Sequence, residues 1–332
     1  MHTISYEVTQ IESIEFLGEY EDDVYDVGMV DTPHTFFANG ILVHNSSFVS
    51  AVPVIKSMEE KLGKQLSFDE KANLTFKTAL AIENYINDSF TEYAKKYHNV
   101  TEHFLTIKQE YVATAGFWVA KKRYAQKIVM EKGVSIDNMT GGKKKWKLDV
   151  KGMDVVRSNF PKAFREFMSG MLISILDGEP KETLDAAIKK LRDEIESKPL
   201  LDIMLPTGVK EISKFGFDKS NPFLRFKGTP AHVKSALNYN ALLLHYNLIG
   251  TAPITDGTKI KWSKLKTNPL NLESLAITGI NDPKEIVDYL TKYVDKEAIF
   301  ISALENKLQD FYNALGFGPV TTNENLEDFF TF

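Results

Sequence analysis

Residues Val24 to Ser46 read VYDVGMVDTPHTFFANGILVHNS and end in His44-Asn45-Ser46, a tripeptide that divides the chain. An asparagine side-chain amide can attack its own main-chain carbonyl, close a five-membered succinimide and break the following peptide bond. The ring closes readily because nucleophile and carbonyl sit side by side in one residue. The departing amine needs a proton, and the imidazole of His44 titrates near neutral pH. The hydroxyl of Ser46 adds a second capacity, attack on an ester or thioester to take over an acyl group. Residues 1–45 are therefore expected to process the chain, and residues 46–332 to be the product.

Upstream of that run, Tyr6 to Tyr20 (YEVTQIESIEFLGEY) alternates and is rich in β-branched and aromatic residues. Asp31-Thr32-Pro33 and Ala38-Asn39-Gly40 supply turn chemistry. Short strands are predicted, in a segment too small to fold well alone.

Downstream, SSFVSAVPVI (Ser46 to Ile55) reads as a buried strand. Ala79, Ile82, Ile86, Phe90, Tyr93 and Tyr97 then recur at spacings of three and four, which predicts a helix. Strands are predicted from His103 to Ala113, from Gly116 to Met130 and up to Met153, with a turn at Asn138–Gly142. Pro161 suits the first turn of a helix carrying Phe164, Met168, Met171 and Ile175. A second helix, from Pro180 to about Lys198, carries Leu184, Ala187, Ile188, Leu191 and Ile195. Residues 200–280 read as mixed and loop-rich. Asp282-Pro283 caps a final helical region that breaks near Gly316.

The 332 residues suffice for two or three domains, and 43% hydrophobic with 26% charged residues is the balance of a soluble globular protein. The absence of cysteine excludes disulfides, thiolate metal sites and thiol nucleophiles. The N-terminus lacks the apolar core of a signal peptide and no run reaches membrane-spanning length, so a cytoplasmic location without membrane partners is expected. The net charge is −5, but Lys121 to Lys147 holds nine cations against Glu131 and Asp137. Such local fields, rather than the whole-chain balance, decide phosphate binding.

The order Val24-Tyr25-Asp26-Val27, then His34-Thr35-Phe36-Phe37-Ala38-Asn39-Gly40, then Ile41-Leu42-Val43 before His44-Asn45-Ser46 resembles the C-terminal splicing blocks of inteins. That resemblance implies part of the intein fold in residues 1–45. It also implies a split intein, whose other half lies on an N-terminal partner chain. His34 would activate Asn45, His44 would assist at the scissile bond, and Asp26 would orient or protonate groups while Ser46 reacts.

Three motifs in the remainder resemble family B DNA polymerases, especially those of large phages. They are GFWVAKKRYA (Gly116 to Ala125), KLDVKGMDVVRSNFPKAF (Lys147 to Phe164), and the pair FKGTPAHVKSALNYN (Phe226 to Asn240) and GTAPITDGTKIKW (Gly250 to Trp262). The resemblance implies an α+β multidomain chain: the intein segment 1–45, part of the polymerase palm over 46–157, a mainly helical thumb over 158–320 and a tail over 321–332. It implies that Lys121, Lys122, Arg123 and Tyr124 form the region that meets primer–template DNA, with Lys122 and Tyr124 on the DNA, Lys121 and Arg123 as structural or outer-shell charges, and His232 and Lys234 as weaker candidates for duplex phosphate. Strand alternation would put Lys122 and Tyr124 on one face and Lys121 and Arg123 on the other. Glu110 and Asp154 match acidic positions near the family's active site. The metal-binding aspartates for Mg2+ and the dNTP site would lie on the partner chain, with no metal ligand in this one. Leu326, Phe329, Phe330 and Phe332 resemble a peptide that docks on a sliding clamp. Two other readings stay open: a non-catalytic DNA-binding subunit that associates without ligation, and a processing segment on an unrelated cargo.

Overall fold

A computed structural model describes residues 36–38, 41–43, 48–99, 101, 103, 106–215, 222–223, 225 and 227–320. The chain is mixed α+β, with antiparallel sheets and helices. The described residues fall into two compact units. One runs to Val112 and includes Glu131–Gly133; the other takes Ala113–Met130 and the residues from Val134 onward.

In the first unit, β1 (Phe36–Ala38) pairs antiparallel with β2 (Ile41–Val43), with Ala38 opposite Ile41. The predicted buried strand at Ser46–Ile55 is corrected. Phe48 and Val49 are exposed, and Val52–Leu62 is a helix, α1, with no buried residue. Pro53 in its first turn pre-sets a helical φ, and Gly63 closes it in the left-handed conformation (φ 61°). Helix α2 (Phe68–His98) starts on a capping box, in which Ser67 accepts from the Glu70 amide while Glu70 accepts from the Ser67 amide. Its predicted stripe is half-buried at Ala79, Ile82, Ile86 and Phe90 and exposed at Tyr93 and Tyr97. Residues 106–110 are irregular where the pattern predicts a strand, and β3 begins at Tyr111. The Asn87 side chain instead satisfies both Ile107 backbone groups, at 2.8 and 2.9 Å, as a strand neighbour would.

Strands β3 (Tyr111–Ala120), β4 (Arg123–Glu131), β5 (Val134–Ser135) and β6 (Lys147–Lys151) form a four-stranded sheet. A short helix, α3 (Ile136–Met139), lies between β5 and β6. β4 pairs antiparallel with β6, with Tyr124 opposite Lys151 and Ile128 opposite Lys147. The single strand predicted over Gly116–Met130 is two strands of a hairpin, reversed at Lys121-Lys122. Lys122 adopts a left-handed φ of 63° there.

The second unit continues through α4 (Lys162–Leu176), α5 (Lys181–Glu194) and α6 (Leu200–Ile203). Phe164, Met168, Met171, Leu184, Ile188, Leu191 and Ile195 are buried, as their spacing predicts. The region read as loop-rich holds an antiparallel three-stranded sheet of β7 (Leu205–Gly208), β8 (Lys259–Lys264) and β9 (Ser274–Ile277). Helix α7 (Ala231–His245) packs on β9. Its buried residues include Ser235 and Asn238 beside Val233, Ala236 and Leu237, so it shows no clean apolar stripe.

Pro283 precedes α8 (Lys284–Tyr293), and α9 (Lys296–Ile299) follows. A π-helical segment, Phe300–Glu305, leads into α10 (Asn306–Ala314), and the helical region ends at Gly316 with φ 70°. The core of this unit joins α4, α5, α7 and the C-terminal helices. Phe164 meets Phe300 edge-on at 6.4 Å and Phe117 meets Phe311 at 5.6 Å, the geometry that aromatic quadrupoles favour. Among the described residues no helix is long and apolar enough to cross a membrane.

Candidate nucleic-acid interface

The basic span is not uniformly available to a ligand. Arg123 donates to Asp310 at 2.9 Å, and Lys145 to Asp137 at 2.8 Å. Lys127 is paired with Asp177 and lies 4.5 Å from the Trp146 ring centroid. Lys121 and Lys122 are exposed at the hairpin tip, and neither forms an ion pair among the described residues. Lys143 and Lys144 are exposed on the turn before β6.

The tip has an uncommon construction. Lys121-Lys122 contains none of the residues that usually accept a positive φ. Its support comes from 30 residues downstream. Gly152 follows β6 at φ 67°, and a Cβ there would lie 2.0 Å from the Lys122 carbonyl oxygen. Only glycine lets the two backbones approach this closely. Because Lys121 and Lys122 form the turn, the strand alternation expected for Lys121 to Tyr124 does not apply. Only Arg123 and Tyr124 belong to β4, and both are half-buried.

Asp154 lies in a short 3-10 turn just after Gly152. Its carboxylate is 15% exposed and receives Arg157 Nη1 at 3.0 Å and Lys307 Nζ at 2.9 Å. Two cations occupy the group in this structure. The Glu110 backbone carbonyl accepts from the Lys132 amide at 2.7 Å. Among the described residues no group of three or more acidic or histidine side chains could hold a metal ion.

The other two candidate cations sit at the start of α7. Lys234 is paired with Glu273 at 2.8 Å. His232 is half-buried, and desolvation lowers its pKa below the ordinary value of 6.5, so at neutral pH it is mostly uncharged. Both offer less free positive charge than the exposed lysines at the hairpin tip. Arg225 donates to Asn238 Oδ1 of α7 and to the Pro222 carbonyl, each at 2.7 Å, and burial lowers its pKa to about 10. Asn238 passes the network on to the Ser274 carbonyl at 2.6 Å. This buried polar set fixes the α7–β9 seam, and the sequence carried no signal for it. Gly152 did carry one, since a glycine beside a strand often marks a close backbone approach. Asp26, His34, His44, Asn45 and Ser46, and Leu326, Phe329, Phe330 and Phe332, lie outside the described residues.

No protein-family model matches the chain. It is 26% identical over 232 residues to the DNA-directed DNA polymerase of Enterobacteria phage T4, a match covering 66% of this chain and 24% of the phage protein. It is 27% identical over 192 residues to a DNA polymerase of Thermococcus litoralis, covering 58% of this chain and 9% of that protein. A DNA polymerase of Thermococcus aggregans is 28% identical over 178 residues, 53% of this chain and 7% of the relative. Part of this chain is homologous to DNA polymerases. It spans less than a quarter of the length of these relatives.

Proposed function

We propose that the chain is the C-terminal precursor of a split, phage-type family B DNA polymerase, joined to its N-terminal partner by protein trans-splicing. The observation that carries the polymerase half is the exposed Lys121-Lys122 tip, held by Gly152, within a chain homologous to DNA polymerases. A duplex is gripped through its backbone by cations that need no base contact. Lys121 and Lys122 supply those cations, and Tyr124 lies two residues past the tip on β4. On this reading residues 46–157 belong to the palm, 158–320 to the thumb, and 321–332 dock a sliding clamp through Leu326, Phe329, Phe330 and Phe332. Mg2+ supplies charge neutralisation for nucleotidyl transfer when bound. Its ligands and the dNTP pocket belong to the partner.

The splicing half rests on the residues of the junction and on the pairing of β1 with β2 that precedes it. Ser46 Oγ attacks the carbonyl of a thioester or ester on the partner, displaces the partner's thiol or hydroxyl, and takes the acyl group as an ester. The Asn45 amide nitrogen attacks the Asn45 carbonyl carbon, closes the succinimide and frees the Ser46 amine. His34 and His44 move the protons at that step, and Asp26 serves the Ser46 step. The freed amine then attacks the ester, leaving an amide bond and a free Ser46 hydroxyl. Co-expression with a partner that carries the N-terminal splicing segment tests this. A single ligated product and a released fragment of residues 1–45 are expected, and Asn45→Ala should stop the release. Two unligated chains that co-purify and bind DNA would replace this reading with that of a non-splicing subunit.

A further inference from the structure

The hairpin tip and α10 are joined by charges arranged in opposite senses. The hairpin side offers the cation Arg123 and, beyond Gly152, the anion Asp154. Helix α10 offers the anion Asp310 and, three residues earlier, the cation Lys307. Arg123 meets Asp310 at 2.9 Å and Lys307 meets Asp154 at 2.9 Å. Residues three apart share a helix face, so the two pairs fit together in one alignment only. Sliding α10 by one turn would bring like charges together. Between them Phe117 of β3 meets Phe311 edge-on, and Phe311 is fully buried. α10 is tied in turn to the segment after it, because Gln309 Oε1 accepts from the buried Val320 amide at 2.9 Å. The two lysines at the tip take no part in these interactions.

We propose that α10 is a positioning element for nucleic-acid binding, in which Asp310 and Lys307 hold the Lys121-Lys122 tip in register through Arg123 and Asp154 without touching the nucleic acid. The inference rests on the reading of the tip as a duplex-backbone contact. Phosphates are spaced along a rigid backbone, so two lysines bind them well only if the turn that carries them is fixed. Arg123 spends its charge internally, which explains why a cation within the basic run is half-buried while its neighbours are exposed.

A double-mutant cycle on the full-length chain tests it, with a fluorescent primer–template duplex titrated at several salt concentrations. Lys121→Ala with Lys122→Ala should weaken binding at least tenfold and reduce the salt slope by about 0.9 for each phosphate that is no longer neutralised. If it changes neither, the reading of the tip fails and this inference falls with it. Asp310→Asn should weaken binding at least fivefold alone, but less than twofold in the doubly substituted background. The exchanged pair Arg123→Asp with Asp310→Arg should recover most of the affinity. Lys307→Met provides a second, independent entry to the same cycle. An equal weakening in both backgrounds, or no weakening from Asp310→Asn and Lys307→Met while the lysine variant remains impaired, would overturn the inference and leave the tip reading standing.

Discussion

Gly152→Ala gives the sharpest test of how the basic tip is built. The substitution adds one methyl group where φ is 67° and the Lys122 carbonyl oxygen would be 2.0 Å away. A left-handed conformation costs an alanine about 1–2 kcal/mol. Carbon and carbonyl oxygen approach to about 3.3 Å at closest, so the tip must retreat by about 1.3 Å. Overpacking of that kind adds about 1–3 kcal/mol, for a total of about 2–5 kcal/mol. Gly178→Ala is the matched control. Gly178 also has a left-handed φ, 76°, but nothing lies within 4 Å of the position its Cβ would take. It should cost only the conformational part, about 1–2 kcal/mol. Urea unfolding of the two variants, followed through the tryptophans, measures the difference. Duplex titration should then show weaker binding for Gly152→Ala and unchanged binding for Gly178→Ala. Equal destabilisation by the two substitutions would refute the close approach, and a destabilised Gly152→Ala with unchanged duplex affinity would refute its link to the tip.

Three further outcomes are expected. Lys122→Ala should lower the salt slope of duplex binding by about 0.9, whereas Lys234→Ala should leave it unchanged because Glu273 already neutralises that charge; anisotropy titrations at graded salt decide. Hydrogen bonds from the Ser67 amide, then the Ser67 hydroxyl and Lys64, lower the Glu70 pKa from 4.5 to about 2. The folded value lies below the unfolded one, so its contribution to the α2 N-terminus is present above about pH 4.5 and lost as pH falls toward 2. A carboxyl NMR titration should show this midpoint, and Ser67→Ala should return it toward 4.5. The Tyr312 hydroxyl donates to Asp185 at 2.6 Å, and burial followed by that bond raises its pKa above the ordinary 10.0. A raised folded pKa means stability that is complete below pH 10 and lost above it. Tyr312→Phe should flatten that alkaline decline in unfolding experiments.

Helices were legible wherever one face carries the burial. Phe164, Met168 and Met171 in α4, and Leu184, Ile188 and Leu191 in α5, announce themselves by spacing because polar residues cover the opposite side. α7 escaped because it is enclosed on most sides, so Ser235 and Asn238 are as buried as Val233. α1 reads as a strand because its start is β-branched and apolar, yet its helical turn is set by Pro53, and Val52, Val54 and Leu62 stay exposed. The hairpin at Lys121-Lys122 was invisible for a different reason. Local preference offers no turn there, and the approach that stabilises it comes from Gly152. The chemical type of the candidate DNA-binding groups was readable from composition. Their ranking was readable in part: strand alternation sets Arg123 aside as a structural charge, and it pairs with Asp310, but it sets Lys121 aside as well, which is exposed at the turn. Asp177 and Glu273, which pair with Lys127 and Lys234, come from distant parts of the sequence.

The π-helical segment Phe300–Glu305 has a consequence for insertion and deletion. Each residue of an α-helix advances the chain by about 100° of rotation, and a π turn holds one residue more than an α turn. The segment thus absorbs one extra residue ahead of α10. Removing a single residue between Phe300 and Glu305 would restore a regular helical turn and leave Lys307, Asp310 and Phe311 facing the hairpin. The same deletion in a regular stretch of helix would turn every residue beyond it by about 100° about the axis.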